Sequence, residues 1–173
     1  KAGYEFEIQV SHKEECYQSV TPDGIVKELA LLKAKDIAEQ NNAKDLIVIG
    51  ADTVVAYKGA ILGKPKSEED AFQMIKGFQG DKHQVYTGVA ILHYDAVGNE
   101  IIVNHAVKTD VYVNPMTDEE IQTYIKLDNV MDKAGSYGIQ SGFAIHIDRI
   151  EGDYFNVVGL PISYIYEVLK EMI

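Results

Sequence analysis

The sequence has few of the residues that build crosslinked, membrane or nucleic-acid-binding proteins: one cysteine, no tryptophan, four prolines and one arginine in 173 residues. The single cysteine, Cys16, excludes a disulfide framework or a site made of several thiolates. No segment approaches the roughly 18 consecutive apolar residues of a membrane-spanning helix. No secretory signal is recognisable, so we expect a cytoplasmic protein.

The charge balance is strongly acidic, with 27 acidic against 16 basic side chains and a net charge of -11. Nucleic acids and anionic membranes attract clustered cations, so neither is an expected partner. Arg149 is the only arginine. A substrate with several phosphates would therefore need a divalent metal ion and locally placed lysines.

Hydrophobic periodicity predicts an α/β protein. Period-two alternation indicates strands, whereas a spacing of three and four residues after a capping signal indicates helices. Strands are predicted over 4–10, 46–57, 60–62, 85–94, 101–113 and 143–150, and helices over 23–40, 67–78, 117–127 and 160–172. No linker or repeat divides the chain, so residues 1–173 are predicted to form a single domain with a mixed sheet.

Asp52 is the most unusual polar residue, because it interrupts the apolar run 47–55. A carboxylate in a buried strand is unfavourable unless it is paired or bound to a metal ion. We therefore interpret Asp52 as a candidate functional residue. The structural alternative is an aspartate at a strand end that caps a neighbouring loop.

Two lysines are candidate anion-binding residues. Lys33 lies in the middle of the apolar arc of the first predicted helix, although its stem could pack while its amine reaches solvent. Lys64 lies between Gly63 and Pro65, where glycine permits a close approach and proline fixes the exit direction. A solvated lysine in a turn is the alternative for Lys64.

The irregular segment 132–140 places polar groups among small residues. Such segments in compact domains are often functional, although an ordinary surface loop is the alternative. Gln140 has both a donor and an acceptor, so it could read a base or a carbonyl group. The five histidines show no metal-binding spacing.

Five sequence motifs occur in the order and spacing of one family. They are residues 49–55 (IGADTVV), 61–65 (ILGKP), 83–89 (HQVYTGV), 132–140 (DKAGSYGIQ) and 156–161 (NVVGLP). Over essentially its whole length the chain resembles the Maf family of nucleoside triphosphate pyrophosphatases, once described as septum-formation inhibitors. The resemblance implies a single elongated domain like the inosine triphosphatase-like enzymes, with a mixed β-sheet, flanking helices and a central cleft.

The resemblance also implies an activity. The family hydrolyses nucleoside triphosphates to monophosphate and pyrophosphate with Mg²⁺ or another divalent metal cation, in a house-cleaning role for the nucleotide pool. Asp52-Thr53 together with 138–140 resembles the branch acting on dTTP and UTP. The 7-methyl-GTP branch has glutamine after the aspartate. A homodimer is suggested by the resemblance alone, and the family's N-terminal phosphate-binding segment would precede Lys1.

The resemblance assigns roles to individual residues. Asp52 matches the catalytic acidic residue, and Lys33 and Lys64 match lysines that face the phosphates. Thr53 and Gln140 match positions linked to substrate choice. The expected metal ligands are Asp52 and Glu15, with the neighbouring Glu14 as an alternative to Glu15; whether Asp52 is the base or a metal ligand stays open.

The predicted site residues are expected to line one cleft. Because Thr53 follows Asp52 in a strand, their side chains should point to opposite faces. For both to reach one nucleotide the strand would need a bend, which Gly50 could supply.

Two other functions stay open at this point. One is a nucleotide-binding regulator of septum formation without significant turnover, against which the intact set of Asp52, Lys64 and Gln140 argues. The other is a protein-interaction domain with an incidental cleft, which a salt-bridged Asp52 and the lack of a cleft would favour.

Overall fold

The computed structural model describes residues 2–173. Helices alternate with pairs of strands along the first part of the chain, up to α3. The elements are α1 (Pro22–Gln40), β1 (Leu46–Tyr57), β2 (Ala60–Leu62), α2 (Glu68–Phe78), β3 (Lys82–Tyr94), β4 (Glu100–Val113), α3 (Asp118–Leu127), two 3₁₀ turns (Ala134–Ser136 and Gly142–His146), β5 (Ile147–Glu151), α4 (Tyr154–Val158) and α5 (Ile162–Met172). No helix in the described range is long and apolar enough to cross a bilayer.

The strands form one five-stranded sheet in the order β2-β1-β3-β4-β5. All four pairings are antiparallel, so the sheet is antiparallel where we expected a mixed one. Short hairpins explain part of this pattern, because two neighbouring strands joined by a tight turn must run in opposite directions. Lys58 and Gly59 make the predicted β1–β2 turn, with φ of 48° and 81°. The α/β class with flanking helices is confirmed.

Helix α1 packs unusually close to the sheet. A Cβ atom on Gly50 would lie 2.4 Å from the carbonyl oxygen of Ala30, and one on Gly88 would lie 2.1 Å from that of Val26. The helix contributes small side chains at this contact, including the buried Ala34. Gly50 therefore serves close packing rather than a bend, and β1 pairs with β3 without a break from residue 46 to residue 56.

The opposite face of the sheet carries the other helices. Helices α2 and α3 pack with the segment around Phe143 in the largest hydrophobic cluster. Ile165 and Leu169 of α5 pack on Val89 and Ile91 in a smaller cluster. The sheet is therefore covered by α1 on one face and by the other four helices on the opposite face.

The predicted helix starts are largely confirmed. At α3 the Thr117 side chain accepts from the Glu120 amide, and the Glu120 side chain accepts in return from the Thr117 amide. At α2 only the first of these two bonds forms, in which the Ser67 side chain accepts from the Asp70 amide. The predicted C-terminal helix 160–172 is confirmed as α5. A short helix that is not among the predicted ones, α4, precedes it and ends at Gly159 with φ 117°.

One predicted strand is wrong, and another is confirmed only in its second half. Residues 4–10 form no strand and pair with none among the described residues, and their apolar side chains are exposed. Alternation of apolar and polar residues is not enough to form a strand, because the segment also needs a sheet edge with which it can pair. In 143–150, the first part forms a 3₁₀ turn that buries Phe143, and the strand begins at Ile147.

Candidate active site

A half-buried lysine joins two carboxylates on the α1 face of the sheet. The Lys33 amine lies 2.5 Å from an oxygen of Asp52 and 2.8 Å from an oxygen of Glu15. Only 12% of the Asp52 side chain is exposed, against 57% for Glu15. These three residues, the acidic cluster, come from α1, β1 and the segment 2–21 that precedes α1.

The segment before α1 reaches the acidic cluster because it runs antiparallel along that helix. Gln9 bonds with Asn41, and Ser11 donates to Asp36, near the C-terminal end of the helix. At the other end, the Glu28 carboxylate accepts from the amides of Gln18 and Ser19. These bonds place Glu15 beside Lys33, whereas Glu14 makes no ion pair among the described residues.

The electrostatics of the cluster favour a cationic lysine and a basic carboxylate. Burial raises the pKa of Asp52, and the hydrogen bond and charge of Lys33 oppose this rise without cancelling it. Burial lowers the pKa of Lys33, but its bonds to Asp52 and Glu15 outweigh burial and raise the pKa. Asp52 is therefore a stronger base than an exposed aspartate, and Lys33 is protonated beside it.

A cavity of about 450 Å³ opens on the other face of β1. Three predicted site residues, Thr53, Lys64 and Gln140, line it. Its remaining wall comes from the segment 132–141, from Val55 and Val85 of the sheet and from residues 157–159. We call this space the Thr53 cavity.

The segment 132–140 is held against β1 by backbone geometry. Gly135 has φ 67°, and a Cβ atom there would lie 2.9 Å from a Val55 methyl group. Its amide donates to the Gly63 carbonyl oxygen at 3.0 Å, which ties this segment to the loop carrying Lys64. A side chain at residue 135 would collide with Val55 and push the segment away from β1.

A buried pair lies below the same segment. The Tyr137 hydroxyl lies 2.6 Å from Nε2 of His83. Burial lowers the pKa of His83 to about 4 and raises the pKa of Tyr137. His83 is therefore neutral at pH 7 and supports the loop rather than binding phosphate.

The acidic cluster and the Thr53 cavity meet at an open edge of β1. Strand β2 pairs with β1 only from Val55 to Tyr57, and no other strand of the described chain pairs with that edge. Asp52 and Thr53 lie just beyond the end of β2, on opposite faces. The structure therefore shows two groups of site residues back to back rather than the single cleft we expected, and no bend joins them.

A ligand can reach both groups by crossing this open edge. One end of such a ligand would lie beside Asp52, and the other end would lie in the Thr53 cavity. The exposed Lys64 lines that cavity. The hypothesis of a protein-interaction domain requires a salt-bridged Asp52 and no cleft. Asp52 is salt-bridged, but a cavity adjoins it, which argues against that hypothesis.

Several residues around the cavity were missed by sequence reasoning. Lys133 lines the cavity, and its amine lies 2.7 Å from Asp128 and 2.9 Å from the carbonyl oxygen of Asn129. Thr87 and Asn156 lie behind Thr53, both fully buried. All belong to or adjoin the quoted motifs, but their residue types alone indicate no chemistry.

The two carboxylates of the acidic cluster are the candidate ligands for a metal ion. No group of three or more His, Cys, Asp or Glu side chains in residues 2–173 forms a ready metal site. Two carboxylates converge on Lys33, however, and Mg²⁺ is commonly bound by one or two carboxylates together with substrate phosphates and water. The donors present at Asp52 and Glu15 fit such an ion.

The fold is of the α/β class, with helices on both faces of a five-stranded sheet, and sequence comparison assigns its family. The sequence model described as Maf-like protein matches residues 1–172. The chain belongs to the Maf-like protein family.

Curated relatives cover nearly the whole chain. A dTTP/UTP pyrophosphatase of Lachnoclostridium phytofermentans is 44% identical over 171 residues, which are 99% of this chain and 86% of that protein. A dTTP/UTP pyrophosphatase of Agathobacter rectalis is 45% identical, covering 98% of this chain and 88% of that protein. A dTTP/UTP pyrophosphatase of Bacillus thuringiensis is 46% identical over 171 residues, which are 98% of this chain and 86% of that protein.

Proposed function

We propose that this protein hydrolyses dTTP and UTP to the nucleoside monophosphate and pyrophosphate. The observation that carries the proposal is the position of the Asp52–Lys33–Glu15 cluster, which adjoins the Thr53 cavity across the open edge of β1. This arrangement suits a long, polar ligand with a charged end and a planar end. The names of the relatives, each a dTTP/UTP pyrophosphatase, support the same substrates.

Asp52 is the proposed general base. Its raised pKa lets it accept a proton from the attacking water, and Lys33 holds its carboxylate in one orientation. Water attacks the α-phosphorus, the bond to the β-phosphate oxygen breaks, and pyrophosphate leaves. A divalent cation would be held by Glu15 and the substrate phosphates, with Asp52 as a further ligand only if another group is the base; it would neutralise phosphate charge and polarise the phosphorus.

Two lysines supply positive charge in a protein with a net charge of -11. Lys33 borders the reacting end and Lys64 lies near the cavity rim, so both can stabilise the charge that develops on phosphate oxygens. Lys64 is exposed and makes no ion pair within residues 2–173, which leaves its amine available for a ligand.

The base would lie in the Thr53 cavity. Gln140 can offer its amide to the O4 and N3 edge that uracil and thymine share. Room for the thymine methyl group discriminates only weakly between the two, by about 1–3 kcal/mol at most. Hydrolysis of both nucleotides in the cytoplasm, with a divalent ion and with the protein as a homodimer, is the house-cleaning function that we propose.

Product analysis in ¹⁸O-labelled water tests the reaction. With dTTP and Mg²⁺, attack at the α-phosphorus places the label in dTMP and leaves pyrophosphate unlabelled. Label in pyrophosphate, or release of orthophosphate, would contradict the mechanism. Tight dTTP binding without any product would favour the nucleotide-binding regulator instead.

A further inference from the structure

The hydroxyl of Thr53 takes part in a hydrogen-bond chain that runs into the protein interior. Thr87 Oγ1 lies 2.8 Å from the main-chain carbonyl oxygen of Asn156, which can only accept, so Thr87 donates its one hydroxyl proton there. Thr53 Oγ1 lies 2.8 Å from Thr87 Oγ1. Because the Thr87 proton is already used, Thr53 must be the donor in this second bond.

The inner end of the chain is fixed by Asn156. Its side-chain amide donates to the Val85 carbonyl oxygen at 3.1 Å and to Thr109 Oγ1 at 3.0 Å. The reversed amide would place two oxygens against each other at Val85, so the orientation is determined. Thr87, Thr109 and Asn156 are fully buried, and no solvent competes for these bonds.

The outer end of the hydrogen-bond chain faces the Thr53 cavity. Thr53 lines the cavity, and the Cα of Gly159 leaves open space beside its hydroxyl: a Cβ atom at Gly159 would lie 3.5 Å from Thr53 Oγ1. With its proton directed inward to Thr87, Thr53 has only lone pairs to offer to this space. The site therefore presents a hydrogen-bond acceptor beside a Gln140 amide that can rotate to donate or accept.

We infer that Thr87 and Asn156 are positioning residues that make Thr53 an obligate acceptor for the N3–H group of uracil and thymine. This inference rests on the proposed function. Uracil and thymine carry a donor at N3, whereas cytosine carries an acceptor at the same position. Gln140 adapts to either edge, so the fixed hydroxyl of Thr53 distinguishes imide bases from cytosine.

The comparison of dTTP with 5-methyl-dCTP isolates this contact, because the two differ only along the N3–C4 edge of the base. We expect the wild-type enzyme to prefer dTTP in kcat/KM by about 10-fold or more, the scale of one mismatched hydrogen bond in a desolvated site. Thr87→Val frees the Thr53 proton to point into the cavity, and the preference should fall at least about fivefold. Thr87→Ser restores the chain and should restore the preference.

Each result supports or overturns the inference. An unchanged preference in a folded Thr87→Val enzyme, or equal use of both nucleotides by the wild type, would overturn it. If Thr87→Val does not fold, Thr53→Ser and Thr53→Val decide: serine should keep the preference and valine should lose it, and a valine variant with full preference would overturn the inference. Absence of any dTTP hydrolysis by the wild type would instead refute the proposed function.

Discussion

At the scale of single residues, Asp52 combines a largely buried carboxylate with a partner that reaches solvent. Its pKa is raised, and the lysine that stabilises its charge also binds the solvent-exposed Glu15. A raised carboxylate pKa does not strengthen an ion pair that is purely structural, but it makes a carboxylate a better general base at neutral pH. The raised pKa of Asp52 therefore favours a catalytic role.

Replacing Asp52 by asparagine tests this role. Asp52→Asn keeps the shape but removes the charge and the base, so kcat for dTTP should fall by about 10²–10⁴-fold. The control is Asp118→Asn on α3, whose carboxylate pairs with the exposed Lys76. Undiminished kcat in a folded Asp52→Asn enzyme would assign the base to another residue.

Lys33→Met tests the electrostatic coupling inside the acidic cluster. Lys33 lowers the Asp52 pKa against the effect of burial, so its removal should raise that pKa further. A base with a higher pKa is protonated up to a higher pH, so the acid limb of kcat/KM against pH should shift upward. The control Lys35→Met, which removes a pair with Glu100, should leave the limb in place; a downward shift in Lys33→Met would contradict the account.

At the scale of elements, the position of α1 determines the geometry of the acidic cluster. Gly88 lies opposite Asp52 in the β1–β3 register, and it permits α1 to approach the sheet with Lys33 above Asp52. A methyl group on the sheet at this contact would displace the helix and separate the two charges.

Gly88→Ala should therefore destabilise the protein by about 1–3 kcal/mol and lower activity as well. Gly77→Ala is the matched control, because Gly77 lies in α2, where an added methyl group would have no atom within 4 Å, and it should gain up to about 1 kcal/mol of stability. Urea unfolding monitored by circular dichroism measures both changes. Equal stability of the two variants would show that α1 tolerates displacement.

The sequence predicts elements better than it predicts their contacts. Capping residues and periodicity predict α1, α3 and the β1–β2 hairpin, because these depend on neighbouring residues. The wrong strand at 4–10 has correct alternation but no pairing edge, which periodicity cannot reveal. Asp52 and Lys33 are recognisable in the sequence because they are polar residues among apolar neighbours. The hydrogen-bond chain behind Thr53 is not recognisable, because its partners are separated by 34 to 71 positions in the sequence.

At the scale of the whole molecule, buried His83 links stability to pH. Its pKa is about 4 in the folded protein against 6.5 in the unfolded chain, so the unfolded state binds the proton more readily. The contribution of His83 is fully present above pH 6.5 and is lost as the pH falls to about 4, a change of about 3 kcal/mol. His83→Gln should remove this part of the pH dependence.

Urea unfolding between pH 7 and pH 4 measures that dependence. The exposed His12→Gln is the control and should retain the full slope. An identical slope in His83→Gln and the wild type would mean that other groups account for acid destabilisation.

We propose that the acidic cluster and the Thr53 cavity together act on pyrimidine nucleoside triphosphates. The direct measurement is kcat/KM for dTTP, UTP, GTP, ATP and 7-methyl-GTP with Mg²⁺, in the wild type and in Gln140→Ala. We predict efficient hydrolysis of both dTTP and UTP, poorer hydrolysis of the purine nucleotides, and a narrower pyrimidine preference in Gln140→Ala. A wild-type preference for GTP or 7-methyl-GTP over both pyrimidines would contradict the account.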